Sequence, residues 1–143
     1  RCHCSREQIQ RYRSRISGPL LDRIDIQIQV PRVPASELRP DAPSGESSAE
    51  VRARVAQARG IQIQRAGMSN AELGTKHIEQ HCKLSEKDRT MLERAIDQLQ
   101  LSARASQRIL RVARTIADLA NAPMISTSHL AEAIGYRRGE GAR

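Results

Sequence analysis

Apolar residues follow two different periods along this chain. Between residues 24 and 30 they alternate with polar residues, and this period of two predicts a half-buried β-strand. From residue 47 onwards they recur every three or four positions, which is the spacing of an amphipathic helix. The pattern therefore predicts one short strand followed by a mainly helical region.

Serine residues mark where several predicted helices begin. Ser5 with Gln8, and Ser47 with Glu50, each match the capping box, in which the two side chains satisfy two unpaired backbone N–H groups of the first turn. The first of these helices is expected to end at the Ser-Gly-Pro sequence of residues 17–19. Two further helices are predicted to begin at Ser85 and Ser102.

The tetrapeptide Ile-Gln-Ile-Gln occurs twice, and its two copies are expected to fold differently. The first copy, residues 26–29, belongs to the alternating strand pattern. The second copy, residues 61–64, continues the helical spacing that begins at Ser47, although Gly60 directly precedes it. Context therefore predicts a strand for the first copy and a helix for the second.

Proline content divides the chain. Five of the six prolines lie between Pro19 and Pro43, and residues 32–46 show almost no apolar period, which is typical of a surface linker. This linker separates a first unit, residues 1–31, from a bundle of about four to five short-looped helices. The bundle spans residues 47–137, and a disordered tail, residues 138–143, follows it.

The scarcity of aromatic residues limits how a core can be built. The chain has two tyrosines and no phenylalanine or tryptophan, so aliphatic residues must fill the core, which favours packed helices. No signal peptide and no apolar run of membrane-spanning length is present. Three cysteines fit a reducing cytoplasm better than a disulfide framework. Because the chain begins with Arg1 and not with methionine, it is interpreted as part of a longer protein.

The chain is strongly basic. Lysine and arginine number 24 against 16 acidic residues, which gives a net charge of +8. This charge indicates either an arginine-rich solvated surface or a polyanionic partner, nucleic acid or nucleotide phosphate. Only two aromatic residues, both tyrosines, accompany the basic ones, so the sequence offers no extended platform for stacking bases.

Motifs that bind and hydrolyse a nucleotide are absent from the sequence. Neither G-x-x-x-x-G-K-[ST] nor G-x-G-x-x-G occurs, and no strand ends in paired carboxylates that would hold Mg²⁺. The chain alone is therefore not expected to hydrolyse ATP. His77, His81 and Cys82 are close together on a predicted short helix, where ordinary surface and core positions are favoured over a metal or nucleophile site.

Two cysteines at the beginning of the chain have a spacing that suits metal binding. Cys2 and Cys4 could supply two thiolates, which is half of a tetrahedral structural zinc site. A second pair of ligands would have to come from outside this chain. Zinc binding by Cys2 and Cys4 is therefore a hypothesis that depends on missing upstream ligands.

Three arginines line one face of the helix that begins at Ser102. Arg104, Arg108 and Arg111 are spaced four and three residues apart, roughly opposite the apolar face. A solvated helix face accounts for most such rows. Arg104, however, lies in the first turn, where a cation opposes the helix dipole, and this placement indicates an anionic partner supplied from elsewhere.

Four segments together resemble a known family. They are "RCHCSREQIQRYRSRI", "SGPLLDRIDIQIQVP", "LSARASQRILRVARTIADLA" and "HLAEAIGYR". They are similar to the C-terminal part of the magnesium-chelatase-related AAA+ ATPases of the competence-protein ComM (YifB) type. The resemblance implies a mainly α fold, in which a helical AAA+ lid bundle follows the last helix and strand of an incomplete α/β ATPase core. Because that strand would lack its sheet, the first 45 residues are expected to be poorly ordered.

The resemblance also implies roles for individual arginines. Arg23, in "LLDRID", corresponds to the arginine finger that reaches the ATP of a neighbouring subunit, and its permanently charged planar fork suits a phosphoryl group. Arg104, in "SAR", corresponds to sensor 2, with Arg108 as the alternative for that role. Asp22 and Asp25 either hold the Arg23 guanidinium, pair with a neighbour or are ordinary charges at the end of a strand.

For the longer protein, the resemblance implies a cytoplasmic hexameric ring that uses ATP and Mg²⁺ and acts on DNA in natural transformation or recombination, by branch migration. No tightly bound cofactor is expected on this chain alone. Two alternatives remain. The first is a basic helical module that binds DNA or protein, and the second is the motor subunit of a metal chelatase.

Overall fold

The computed structural model describes residues 3–21, 23–39, 41 and 44–137. Within these ranges the regular structure is helical and no β-strand is formed. The α-helices are α1 (Arg6–Arg13), α2 (Gly18–Leu21), α3 (Ser48–Ala66), α4 (Thr75–His81), α5 (Glu86–Gln98), α6 (Ala103–Leu119) and α7 (Thr127–Gly135). Two short 3₁₀ helices span Ala35–Leu38 and Asn70–Glu72. The mainly α fold class is confirmed.

The helix starts predicted from serine residues are confirmed. Ser5 and Ser47 form complete capping boxes with Gln8 and Glu50. Ser85 and Ser102 cap α5 and α6, and each hydroxyl accepts the backbone N–H three residues later. These caps are interactions between near neighbours in sequence, which is why the pattern alone located them.

Helix α3 runs through Gly60 without interruption. The second Ile-Gln-Ile-Gln copy, residues 61–64, is helical as predicted. The helix ends instead at Gly67, whose φ of 70° lies in the left-handed region that favours glycine. The Gly67 N–H donates to the Ile63 carbonyl at 2.8 Å and closes the last turn.

The first helix is shorter than predicted. α1 ends at Arg13, and the Ser14 hydroxyl donates to the Arg11 carbonyl at 2.9 Å. The Gly18-Pro19 pair, expected only to stop a helix, begins the single turn α2. Proline fits the first turn of a helix because the N–H that it lacks would have no partner there.

The predicted strand at residues 24–30 is wrong. These residues form no regular secondary structure, and no other described segment is a strand with which they could pair. Their alternating apolar side chains remain exposed, with Ile28 and Val30 at 68% and 78% relative exposure. Alternation reports which side chains share a face, whereas a strand also needs a neighbouring backbone to accept its hydrogen bonds.

The hydrophobic core lies in the helical part of the chain and centres on α6. This helix packs against α3, α4, α7 and the 3₁₀ turn Asn70–Glu72, while α5 packs against α7. Three alanines of α6 are fully buried, and their small side chains let neighbouring helices approach closely. They are Ala105, Ala113 and Ala117. None of the described helices is long and apolar enough to cross a membrane.

Candidate functional site

Arg23 follows the helical turn α2 and lies at the surface. Its backbone N–H donates to the Leu20 carbonyl at 3.0 Å, which closes the turn. Its side chain is exposed and makes no hydrogen bond or ion pair with another residue that the structure describes. The local backbone is therefore fixed while the guanidinium stays available.

Arg108 of α6 contacts the backbone of Arg23 and the side chain of Asp25. One terminal nitrogen, Nη1, donates to the Arg23 carbonyl at 2.9 Å and to Asp25 Oδ1 at 2.6 Å. The side chain of Arg108 is 28% exposed and that of Asp25 is 49% exposed. This contact joins residues 83 positions apart in the sequence.

The end of α7 adds two further contacts to the same segment. Arg137 Nη2 lies 3.6 Å from Asp25 Oδ1, and the Arg137 side chain is only 3% exposed. The Gln27 N–H donates to the Tyr136 carbonyl at 3.0 Å. We call the contacts of Arg108, Arg137 and Tyr136 with residues 23–27 the docking latch. It fixes the segment that carries Arg23 on the helical bundle.

Arg104 lies one helical turn before Arg108 on α6. Its side chain is exposed and has no hydrogen bond or ion pair within the described part of the chain. The helix begins at Ala103, so Arg104 lies beside the positive end of the helix dipole. Nothing among its described neighbours neutralises this charge, which leaves it suited to an anion from another part of the protein.

The arginine row predicted on α6 divides into three environments. Arg104 is exposed, Arg108 is in an ion pair, and Arg111 is partly buried. A phosphate that bound Arg108 would have to compete with Asp25. Asp25 itself pairs with Arg108 and Arg137, whereas Asp22 lies outside the described residues.

A buried ionic network, which the sequence reasoning missed, lies near the end of α6. Asp118, 2% exposed, accepts two hydrogen bonds from Arg65 at 2.6 and 2.8 Å and one from Asn70 at 2.8 Å. Arg114, also 2% exposed, donates its Nε to Asp118 at 3.1 Å. The four-residue spacing of Arg114 and Asp118 on a helix was the only signal of it in the sequence.

Burial and hydrogen bonding act in opposite directions on the pKa of Asp118. Burial alone would raise this pKa, but hydrogen bonds from Arg65 and Asn70 and the charge of Arg114 hold it below its usual value. The remaining donors of Arg114 reach two backbone carbonyls, of Pro123 at 3.0 Å and Ala122 at 2.6 Å. The network therefore ties α3, the 3₁₀ turn Asn70–Glu72, α6 and the loop after α6 together, and its role is structural.

The His77, His81 and Cys82 group has the geometry of ordinary surface and core residues. The two imidazole rings stack with centroids 6.3 Å apart. Cys82 is buried, and burial raises the pKa of its thiol to about 11, which disfavours the reactive thiolate. Among the described residues no group of three or more side chains is arranged to hold a metal ion.

The proposed zinc ligands cannot be assembled from the described residues. Cys4 is exposed ahead of α1, while Cys2 lies outside the residues that the structure describes. Zinc binding by this pair stays a prediction that needs ligands from elsewhere.

Comparison with known families matches both parts of the chain. The family model described as "Magnesium chelatase, subunit ChlI C-terminal" matches residues 45–137. The model described as "Magnesium chelatase, subunit ChlI" matches residues 1–38. The first match covers the whole α3 to α7 bundle, including Arg104 and Arg108, and the second covers Arg23.

Curated relatives match nearly the whole chain. The competence protein ComM of Haemophilus influenzae is 52% identical over 133 residues, which is 93% of this chain and 26% of the relative. The uncharacterized protein YifB of Escherichia coli is 46% identical over 134 residues, 94% of this chain and 26% of the relative. An uncharacterized protein of Mycobacterium bovis is 36% identical over 141 residues, 96% of this chain and 28% of the relative. This chain thus spans about a quarter of the length of these relatives.

The helical fold and these matches show that the chain is related to AAA+ ATPases and belongs to the magnesium chelatase ChlI C-terminal family, with relatives of the ComM and YifB type.

Proposed function

We propose that this chain is the C-terminal part of a longer, cytoplasmic AAA+ ATPase that assembles into a hexameric ring and acts on DNA. Residues 1–31 complete its ATPase core, residues 32–46 form the linker, and residues 47–137 form the helical lid. Arg23 is the arginine finger for the ATP of a neighbouring subunit, and Arg104 is sensor 2. ATP and Mg²⁺ are bound by residues outside this chain.

The arrangement of Arg23 is the observation that carries the proposal. A finger needs a rigid backbone and a free guanidinium, since its contribution comes from a charge already in position when the transition state forms. Arg23 combines these properties: the docking latch holds its backbone, while its side chain is exposed without a bond to another described residue. An ordinary surface arginine would not need the four polar contacts of the latch to hold the segment that carries it.

Arg104 supports the same proposal from the lid. Its exposed side chain lies at the beginning of α6, where the dipole adds to its attraction for an anion. Because Arg104 is on the central helix of the bundle, binding a phosphate there would orient the whole lid. Action on DNA rests on the net charge of +8 and on the resemblance to the ComM type.

The decisive experiment is ATP turnover by the full-length protein and its Arg23→Ala variant. An arginine finger contributes roughly 10³–10⁵-fold in rate, so turnover should collapse while ATP affinity and ring assembly persist. Arg32→Ala, which removes another exposed arginine from the same part of the chain, is the charge-matched control and should retain activity. Unchanged turnover in Arg23→Ala would refute the finger role.

A second experiment tests whether Arg23 acts on the ATP of a neighbouring subunit. Arg23→Ala subunits are mixed with subunits whose own ATP-binding motif has been inactivated. Each mixed ring then contains interfaces that pair an intact ATP site with an intact finger, so the mixture should regain turnover that neither variant shows alone. No recovery in rings shown to be mixed would contradict a finger that acts on a neighbour.

A second candidate function is direct DNA binding by the helical part. It is favoured by two exposed arginines of α3, Arg52 and Arg59. Binding of this chain to duplex DNA should then weaken steeply as salt rises, because arginine contacts to phosphates release counterions. A lid without a DNA site would show little affinity at any salt concentration.

A further inference from the structure

We infer that Arg108 is a positioning residue that couples the lid helix α6 to the segment carrying Arg23. The inference rests on the proposed roles of Arg23 and Arg104. It assigns Arg108 to neither of these roles, because its guanidinium is engaged inside the chain and not directed to an outside phosphate. Its function is to transmit the position of α6 to the backbone of Arg23.

The contacts of Arg108 are placed where such coupling requires them. The same Nη1 atom reaches the carbonyl of Arg23 itself and the carboxylate of Asp25 two residues later. The finger residue is thus held by its own backbone, and its side chain is left exposed. Holding the backbone fixes the origin of the side chain without restricting the guanidinium.

Arg104 and Arg108 are rigidly connected. Four residues of an α-helix rise about 6 Å and return to the same face, so the two arginines move together with α6. If a phosphate pulls Arg104, Arg108 moves with it and carries the Arg23 carbonyl and Asp25. The two sites therefore share one mechanical element, which is a physical basis for coupling between them.

The ion pair in the latch is weak on its own, although the latch has three further polar contacts. The Arg108 and Asp25 side chains are 28% and 49% exposed, and an ion pair at that exposure changes an equilibrium by only about fivefold at most. Asp25 also lies between two cations, since the buried side chain of Arg137 is 3.6 Å away on the side of α7. The Arg108–Asp25 ion pair therefore helps to position the Arg23 segment without locking it.

The latch itself is measurable on this chain without nucleotide. Amide hydrogen exchange by NMR reports on the Gln27 N–H, which donates to the Tyr136 carbonyl only while the segment is docked. Arg108→Ala should accelerate this exchange by roughly two- to fivefold. Arg94→Ala removes an exposed arginine from α5 and should leave it unchanged. Equal exchange in the wild type and Arg108→Ala would overturn the inference.

The functional experiment uses the full-length ATPase, and circular dichroism confirms that each variant folds. Because an ion pair at this exposure changes an equilibrium by about fivefold at most, Arg108→Ala should lower kcat by about two- to fivefold with little change in KM for ATP. Arg108→Lys keeps one charged donor and should recover part of the loss. Asp25→Ala should lower kcat similarly, and the double variant should be no slower than either single variant.

The possible outcomes separate this inference from the proposed function. A large rise in KM for ATP in Arg108→Ala would make Arg108 a nucleotide ligand and overturn the positioning role. Unchanged kcat in Arg108→Ala, with turnover lost in Arg23→Ala, would refute only the coupling. Unchanged turnover in Arg23→Ala would refute the finger itself, whatever the exchange of Gln27 shows.

Discussion

The two parts of the chain are held together by different physical means. Of the side chains in residues 3–39 that the structure describes, none is buried, and this part contacts the bundle through the polar contacts of the docking latch. The helical part has a hydrophobic core and a buried ionic network around Asp118. Both arrangements have a carboxylate between two arginines: Asp25 contacts Arg108 and Arg137, and Asp118 contacts Arg65 and Arg114. They differ in burial, because Asp118 is buried and stabilises the bundle, whereas Asp25 is half-exposed and forms a weaker contact.

The Asp118 network should give the largest stability effect in the chain. Asp118→Ala leaves Arg65 and Arg114 without their shared anion inside the bundle, which should lower the free energy of unfolding by about 3–5 kcal/mol. Urea unfolding monitored by circular dichroism measures the change. Asp97→Ala, which removes an exposed carboxylate from α5, is the control and should change stability by less than about 0.5 kcal/mol. A loss as small as that in Asp118→Ala would contradict a stabilising network.

Two isoleucines test where the core lies. Ile109 on α6 is 1% exposed, so Ile109→Ala should lower the free energy of unfolding by about 2–5 kcal/mol through lost burial and a cavity. Ile28, in the segment wrongly predicted as a strand, is 68% exposed, and Ile28→Ala should be close to neutral. Thermal or urea unfolding of the two variants gives the comparison directly. A comparable loss in both would mean that residues 24–30 are covered in solution.

The reactivities of two cysteines, one in each part of the chain, test the same contrast between an exposed first part and a buried core. Burial raises the pKa of Cys82 from 9.0 to about 11, so its thiolate population near neutral pH should be about 100-fold lower than that of an ordinary thiol. Cys4 is exposed. In a Cys2→Ser background, iodoacetamide should alkylate Cys4 much faster than Cys82, as peptide mass spectrometry can follow. Similar rates would show that the region around Cys82 opens readily.

The smallest effect is expected at the latch. Asp25→Ala removes the carboxylate shared by Arg108 and Arg137, but the Asp25 side chain is half-exposed. Global stability should therefore change by only about 0–1 kcal/mol. Urea unfolding in parallel with Asp118→Ala checks this. A loss as large as that of Asp118→Ala would mean that the latch is part of the stability of the bundle.

The sequence by itself determined what depends on near neighbours. The serine caps at Ser5, Ser47, Ser85 and Ser102 and the helical second Ile-Gln-Ile-Gln copy were all predicted, because capping and helical periodicity act within one or two turns. The arginine row on α6 was also visible, since helical spacing places its members on one face. The family resemblance was likewise carried by contiguous motifs.

Only the tertiary structure decided how these arginines differ. Arg65 meets Asp118 across 53 residues, and Arg108 meets Asp25 across 83, and no local pattern encodes such distances. The strand prediction failed for the same reason, because alternation at residues 24–30 is local whereas a partner strand is not. Helix formation follows from hydrogen bonds four residues apart, but burial and ion pairing depend on which distant surfaces meet. For that reason the sequence indicated Arg23 and Arg104, and only the fold showed that Arg108 contacts the Arg23 carbonyl.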